Sequence, residues 1–217
     1  MRIDLLYSLF AIRYSLFSMG PAHSDPYVSR GGDKLAATLE YFKLDVTGCV
    51  CADLGSHVGG FVDCLLRRGV ARVYAVDTCY GTLAWKLRRD PRVVVVERTN
   101  AMHVSLPEPV DTVTIDLGWT PQARILPNVT KLIVGPRGLK PAARPYTSAR
   151  VVTLIKPHYE APEDLLVNGV LPDTAVNQVV EGVLQQVTAM GWTVCGTFPS
   201  PIRGHAGNQE VFALLAR

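Results

Sequence analysis

Between Val50 and Glu97 the chain passes through three short apolar segments. They are Val50-Cys-Ala-Asp-Leu54, Arg72-Val-Tyr-Ala-Val-Asp77 and Val93-Val-Val-Val-Glu97, and helix-like stretches separate them. Strands this uniformly apolar are covered on both faces, which a parallel sheet wrapped by helices achieves. Phe61 to Arg68 and Thr82 to Arg89 are the intervening helices, and Gly69 stops the first of them. The pattern recurs downstream. Asp111 to Asp116 and Arg150 to Lys156 are further strands, and Pro121 to Val134 is a helix predicted to break near Pro127. Thr174 to Met190 is a long helix, and Trp192 to Phe198 and Glu210 to Leu215 are closing strands with no helix between them. One of that last pair must run antiparallel. The expected fold class is therefore α/β: a doubly wound, mostly parallel, seven-stranded Rossmann-like sheet with an antiparallel last strand.

A chain of 217 residues is long enough for one such domain plus a short appendage. Hydrophobic residues make up 48% and charged residues 19%, which excludes a disordered or collagen-like chain. The net charge of +3 does not by itself imply nucleic acid. The five cysteines are an odd number without a C-x-x-C pair, so neither a disulfide framework nor a zinc site is expected. Buried thiols in a reducing, cytoplasmic setting fit better. His23, His57, His103, His158 and His205 show no ligand spacing, and no metal is expected.

Residues 1–26 are expected to be an N-terminal extension or linker, and 27–217 the folded domain. The apolar start, Leu5 to Ile12, is interrupted by Arg13 and is too short to span a membrane. As a signal peptide it has a thin basic region and no clear cleavage site. Met19 as the natural start, or an amphipathic helix, are the other readings. No stable membrane association is expected, and the oligomeric state is open. Near the domain start, apolar residues at Leu35, Leu39 and Phe42 mark a helix that Asp33 is placed to cap.

Open parallel sheets bind ligands beyond the carboxyl ends of their strands. The first strand ends in Asp53-Leu-Gly-Ser-His-Val-Gly-Gly-Phe61, and its glycines permit a sharp turn and a close ligand approach. The second ends in Asp77, placed to accept bonds from ribose hydroxyls. The glycine spacing departs from G-x-G-x-x-G, and the acid before Gly55 suits an amino-acid ammonium. Those two features favour S-adenosylmethionine over a nicotinamide dinucleotide. Asp116, Lys156 and Glu210 stand at the ends of later strands, and Pro157 restrains Lys156.

Five motifs carry a resemblance. Tyr27-Val-Ser-Arg-Gly-Gly-Asp-Lys-Leu35, the Asp53–Phe61 loop, Glu97-Arg-Thr-Asn100, Leu154-Ile-Lys-Pro-His-Tyr-Glu160 and Ser200-Pro-Ile-Arg-Gly-His-Ala-Gly-Asn-Gln-Glu210 together resemble the FtsJ-like ribosomal RNA methyltransferases, and within them the TlyA-like (hemolysin A) branch. The resemblance covers about Tyr27 to Arg217. It implies 2′-O-methylation of RNA ribose by a Lys-Asp-Lys-Glu tetrad, here Lys34, Asp116, Lys156 and Glu210. It also implies a cofactor site formed by Asp53, Gly55, Ser56, His57, Gly59, Gly60, Phe61, Asp77, Asn100 and Asp116. There Asp53 and the glycines hold the methionine part, Asp77 the ribose and Asn100 the adenine edge.

The chain departs from this family at several positions. His57 and Val58 replace a small hydroxyl residue, Cys79 a glycine, and His158-Tyr159 a Gln-Phe pair. Leu117-Gly-Trp-Thr120 stands for the usual Leu-Ser-Phe-Ile. The family's usual N-terminal S4 domain is not expected here, since residues 1–26 offer only a short apolar segment. Expected RNA contacts are Arg30, Arg137, Lys140, Arg144 and Arg150, with Tyr146 or Trp119 to stack on a base. Arg67, Arg68, Arg88 and Arg89 fit solvated helix faces better. The alternative reading is a catalytically altered relative that binds RNA or cofactor.

Overall fold

A computed structural model describes residues 27–135 and 149–217. The N-terminal extension, Arg137, Lys140, Arg144 and Tyr146 lie outside the described residues. Helix α1 spans Arg30–Tyr41, strand β1 Val50–Leu54, α2 Gly60–Arg67, β2 Arg72–Val76, α3 Trp85–Arg88 and β3 Val93–Val96. Strand β4 spans Thr112–Ile115, α4 Gln122–Val134, β5 Arg150–Ile155, α5 Pro157–Glu160, α6 Asp173–Ala189, β6 Thr193–Pro199 and β7 Val211–Ala216.

The strands form one seven-stranded sheet in the order β3-β2-β1-β4-β5-β7-β6. Pairings among the first five strands are parallel. Strand β7 is antiparallel to both β5 and β6. The doubly wound expectation holds, and the antiparallel strand is the last one, inserted between its neighbours.

Two apolar clusters cover the two faces. One, under α4 and α6, contains Leu54, Ile115, Ile125, Val129, Val180 and Trp192. The other, under α1 and α2, contains Leu35, Leu39, Phe61, Leu65, Val152 and Phe212. Leu54 and Leu35 are both fully buried. Each such side chain contributes about 1.5–3 kcal/mol relative to exposure.

Several local expectations are corrected. Helix α4 runs unbroken through Pro127, because Ile125, Leu126, Val129 and Leu132 are buried on both sides of it and their packing outweighs one lost backbone bond. Helix α1 begins at Arg30 after Ser29, so Asp33 lies in its first turn, where its charge favours the helix dipole, and is not the cap. The helix predicted over Thr82–Arg89 shortens to the four residues of α3. Cys49, Cys51 and Cys64 are buried, whereas Cys79 and Cys195 are exposed. Burial pushes the Cys49 and Cys64 thiols up to about 11 and about 12, which keeps them unreactive.

Candidate functional site

The carboxyl ends of β1, β2, β4 and β5 share one edge of the sheet, and two clefts open there. The first, of about 210 Å³, is lined by Ser29, Arg30, Lys34, Asp53, Gly55, Ser56, His57, Gly60, Phe61 and Asp116 among others. The second, of about 400 Å³, is lined by Asp77, Thr99, Asn100, Met102 and Trp119 among others. Gly55, His57 and Asp116 belong to both walls. The clefts therefore form one elongated, acid-lined groove around the loop after β1.

Backbone geometry explains why glycine is needed in that loop. Gly55 has φ +91°, and a Cβ there would sit 2.3 Å from the Asp116 carbonyl oxygen. At Gly60 a Cβ would meet Ser29 Oγ at 2.2 Å. The start of α1 thus packs directly on the start of α2, which brings Lys34 to the groove. Gly59 lines neither cleft, although its neighbours Val58 and Gly60 line the first. Its φ of +98° turns the chain into α2.

Asp53 is the buried acid of the groove. Strand register places it opposite Thr114, whose Oγ1 donates a 2.6 Å hydrogen bond to Asp53 Oδ1. Asp53 Oδ2 is buried with no hydrogen-bond partner. Burial, with the Asp116 and Asp77 carboxylates adding to it, pushes the Asp53 carboxyl up to about 7; the Thr114 bond works the other way. An orphaned carboxylate oxygen of this kind calls for a cationic partner.

Asp77 is organised by backbone donors. Its Oδ2 accepts the His57 N–H at 2.7 Å, and its Oδ1 accepts the Cys79 N–H at 2.8 Å. Each oxygen keeps a second lone pair for a ligand hydroxyl. His57 has φ +46°, is exposed and lines both clefts at their junction. Asn100 is exposed on the second cleft, with its side-chain oxygen accepting the Met102 N–H at 2.9 Å.

Two ion pairs stand at the same edge. Lys34 Nζ lies 2.5 Å from Glu210 Oε2, and Lys156 Nζ lies 2.6 Å from Asp116 Oδ1. The second is a charge contact whose angle falls outside hydrogen-bond alignment, since Asp116 Oδ1 has no hydrogen-bond donor. The β5–β7 ladder ends with Ile155 opposite Val211. Lys156 and Glu210 are the next residues on either side, so the two pairs are neighbours across that ladder. Lys34 and Asp116 line the groove directly, whereas Lys156 and Glu210 do not and meet it through their partners.

A profile described as FtsJ-like methyltransferase matches residues 27–217. The chain belongs to the FtsJ-like methyltransferase family.

Among its relatives is the 16S/23S rRNA (cytidine-2'-O)-methyltransferase TlyA of Mycobacterium tuberculosis, 40% identical over 195 residues, 87% of this chain and 68% of that protein. Hemolysin A of Brachyspira hyodysenteriae is 31% identical, covering 86% of this chain and 75% of its own. The crystal structure of a candidate hemolysin from Lactococcus lactis superposes with a TM-score of 0.78 at 36% identity, covering 88% of each chain. Membership in the FtsJ-like family bears out a methyltransferase dependent on S-adenosylmethionine, and the acid-lined groove with its orphaned Asp53 oxygen suits that cationic donor.

In this FtsJ-like chain the expected basic contacts separate. Arg30 is exposed and lines the first cleft. Arg150 opens β5, at the amino edge of the sheet, opposite the groove. The expectation that it borders the site is corrected, because a segment preceding a parallel strand enters at the far edge. Arg67 pairs with Asp63 at 3.1 Å and lies 4.7 Å over the Tyr27 ring. Arg88 pairs with Glu97. Trp119 is 81% exposed beside Tyr159, with ring centroids 5.2 Å apart.

Sequence reasoning missed three groups. Thr114 supports Asp53 only through strand register. Met102 forms cleft wall without a motif signal, and Thr99 does so from within the Glu97–Asn100 motif without having been singled out. Glu160 accepts the Gln122 N–H at 2.8 Å, where it caps α4, and Gln122 Oε1 accepts the Thr153 hydroxyl at 2.7 Å. This clamp fixes the segment after Asp116 against the segment after Lys156. Among the described residues no helix is long and apolar enough to cross a membrane. None of their His, Cys, Asp and Glu residues gather in a group that could hold a metal ion.

Proposed function

We propose that this chain transfers the methyl group of S-adenosylmethionine to a ribose 2′-hydroxyl of ribosomal RNA. The adjacency of the Lys34–Glu210 and Lys156–Asp116 pairs beside an acid-lined groove carries this reading. The M. tuberculosis relative, a 16S/23S rRNA (cytidine-2'-O)-methyltransferase, supports it.

Asp53 Oδ2 and the turn at Gly55 and Gly60 would hold the methionine part, Asp77 the ribose, and Asn100 the adenine edge. Bound there, the cofactor supplies a methyl group already activated by its sulfonium. The protein's task is then alignment and charge control. Alignment of a nucleophile alone can be worth about 7–11 kcal/mol. Asp116 orients the Lys156 ammonium, and Lys156 offers its N–H groups to the 2′-oxygen. That ammonium stabilises the negative charge building on the oxygen as its proton passes to solvent water. Glu210 neutralises and fixes Lys34 within the groove wall. Arg30 contacts an RNA phosphate, and Trp119 offers a stacking face for a base.

The test is incubation of the protein with labelled methyl donor and total RNA from its source, followed by mapping of the label. Label on a ribose oxygen is the expected result. Label on a base, or no label in any RNA, would displace the reading.

A further inference from the structure

The loop between β6 and β7 makes an unusual approach to Glu210. A Cβ on Gly204 would sit 2.2 Å from Glu210 Oε1 and 2.7 Å from Cδ. The Gly204 backbone is therefore packed directly on the carboxylate that holds Lys34. Glu210 is only 3% exposed, so its side chain has little room to retreat.

The loop is itself tied down at several points. The Gly204 N–H donates to the Asn208 carbonyl at 2.9 Å. Asn208, 3% exposed, accepts the Leu171 N–H at 3.0 Å and donates to the Gly169 carbonyl at 3.2 Å. Arg203 grips Asp173, the first residue of α6, through two bonds of 3.0 and 2.6 Å, and also donates to the Gly207 carbonyl at 2.8 Å. At the loop's base the Ser200 N–H donates to the Glu210 carbonyl at 2.8 Å.

We propose that residues 200–209 form a strap that holds the Glu210 carboxylate against Lys34, with Gly204 as its contact point and Asn208 and Arg203 as its anchors on the segment leading into α6. These three are positioning residues. The inference rests on the reading of Glu210 as a member of the catalytic group. A side chain at position 204 presses on the Glu210 carboxylate and disturbs its contact with Lys34, because the anchored loop holds position 204 in place. The Lys34 ammonium then loses its fixed direction in the groove.

The test is a substitution cycle. Gly204→Ala is expected to lower kcat for methyl transfer about 10- to 100-fold, the cost of a small misplacement, while donor affinity by calorimetry stays within about two-fold. In the Glu210→Asp background, whose carboxylate is one methylene shorter, adding Gly204→Ala is expected to cost less than about two-fold. Equal losses in both backgrounds, or no loss in either, would overturn the strap. Thermal unfolding reads the same contact without catalysis. Gly204→Ala should lower Tm in the otherwise native chain and not in Glu210→Ala. Equal Tm shifts in the two backgrounds would also overturn it. Absence of methyl transfer by the native chain reports on the proposed function, and the Tm cycle still decides the strap.

Discussion

Lys156 Nζ stands 2.6 Å from Asp116 Oδ1, although 40 residues separate them along the chain. They meet because β4 and β5 are adjacent parallel strands, with Ile115 opposite Thr153, so the residues just beyond both strands emerge at one edge. The Glu160–Gln122 clamp then holds the two following segments together.

Lys156→Ala should lower methyl transfer by at least about 100-fold, the scale of a lost donor that stabilises transition-state charge. Donor affinity should change only a few-fold, since Lys156 lines neither cleft. Single-turnover rates and calorimetry check this together, and near-native turnover would remove Lys156 from the mechanism.

Asp53 links donor binding to pH. Its carboxyl is raised to about 7, so in the free protein its contribution to stability is full below the ordinary carboxylate range. That contribution is lost as pH rises through about 7. A cationic donor selects the ionised form, which gives affinity the opposite trend. Donor Kd at pH 6 should be about 10-fold weaker than at pH 8, with a plateau above neutrality. Asp53→Asn should bind weakly with a flat profile. A flat profile in the native protein would refute direct contact between Asp53 and the donor ammonium.

Glu160→Ala removes the cap of α4 and should cost about 0.5–2 kcal/mol in urea unfolding. Glu160→Gln keeps an acceptor oxygen and should cost less. The same loss in both variants would show that negative charge, not the bond to the Gln122 N–H, is what matters there.

RNA binding should weaken steeply with salt. For single strands each phosphate contact contributes about 0.7 to the slope of log K against log salt. Arg30→Gln should reduce the slope by about that amount. Anisotropy titrations between low and moderate salt measure it, and a slope near zero for the native protein would argue against an RNA substrate.

The strand pattern and the polar residues ending each strand were legible before any coordinates. An apolar run such as Val151 to Ile155 is covered on both sides as its composition demands, whereas Val93 to Val96 reads the same way and is the half-exposed edge strand; an acid such as Asp77 at the close of a run declares which edge is wet. Pro127 misled, because a local rule about backbone donors says nothing of the apolar contacts that carry a helix past it. Arg150 misled for a similar reason. Its charge was visible, but the edge it occupies follows from the direction in which its strand runs.

By itself the sequence determined the sheet's class, the glycine turn after Asp53 and the identity of the charged residues, since periodicity and side-chain chemistry are local properties. Only the tertiary structure decided who pairs with whom. Lys34 finds Glu210 across 176 positions because β7 returns antiparallel beside β5 and the first helix packs on the second. Thr114 supports Asp53, and Gly204 presses on Glu210, for the same reason. Each contact is set by strand order and register, which depend on burying both faces of one sheet at once.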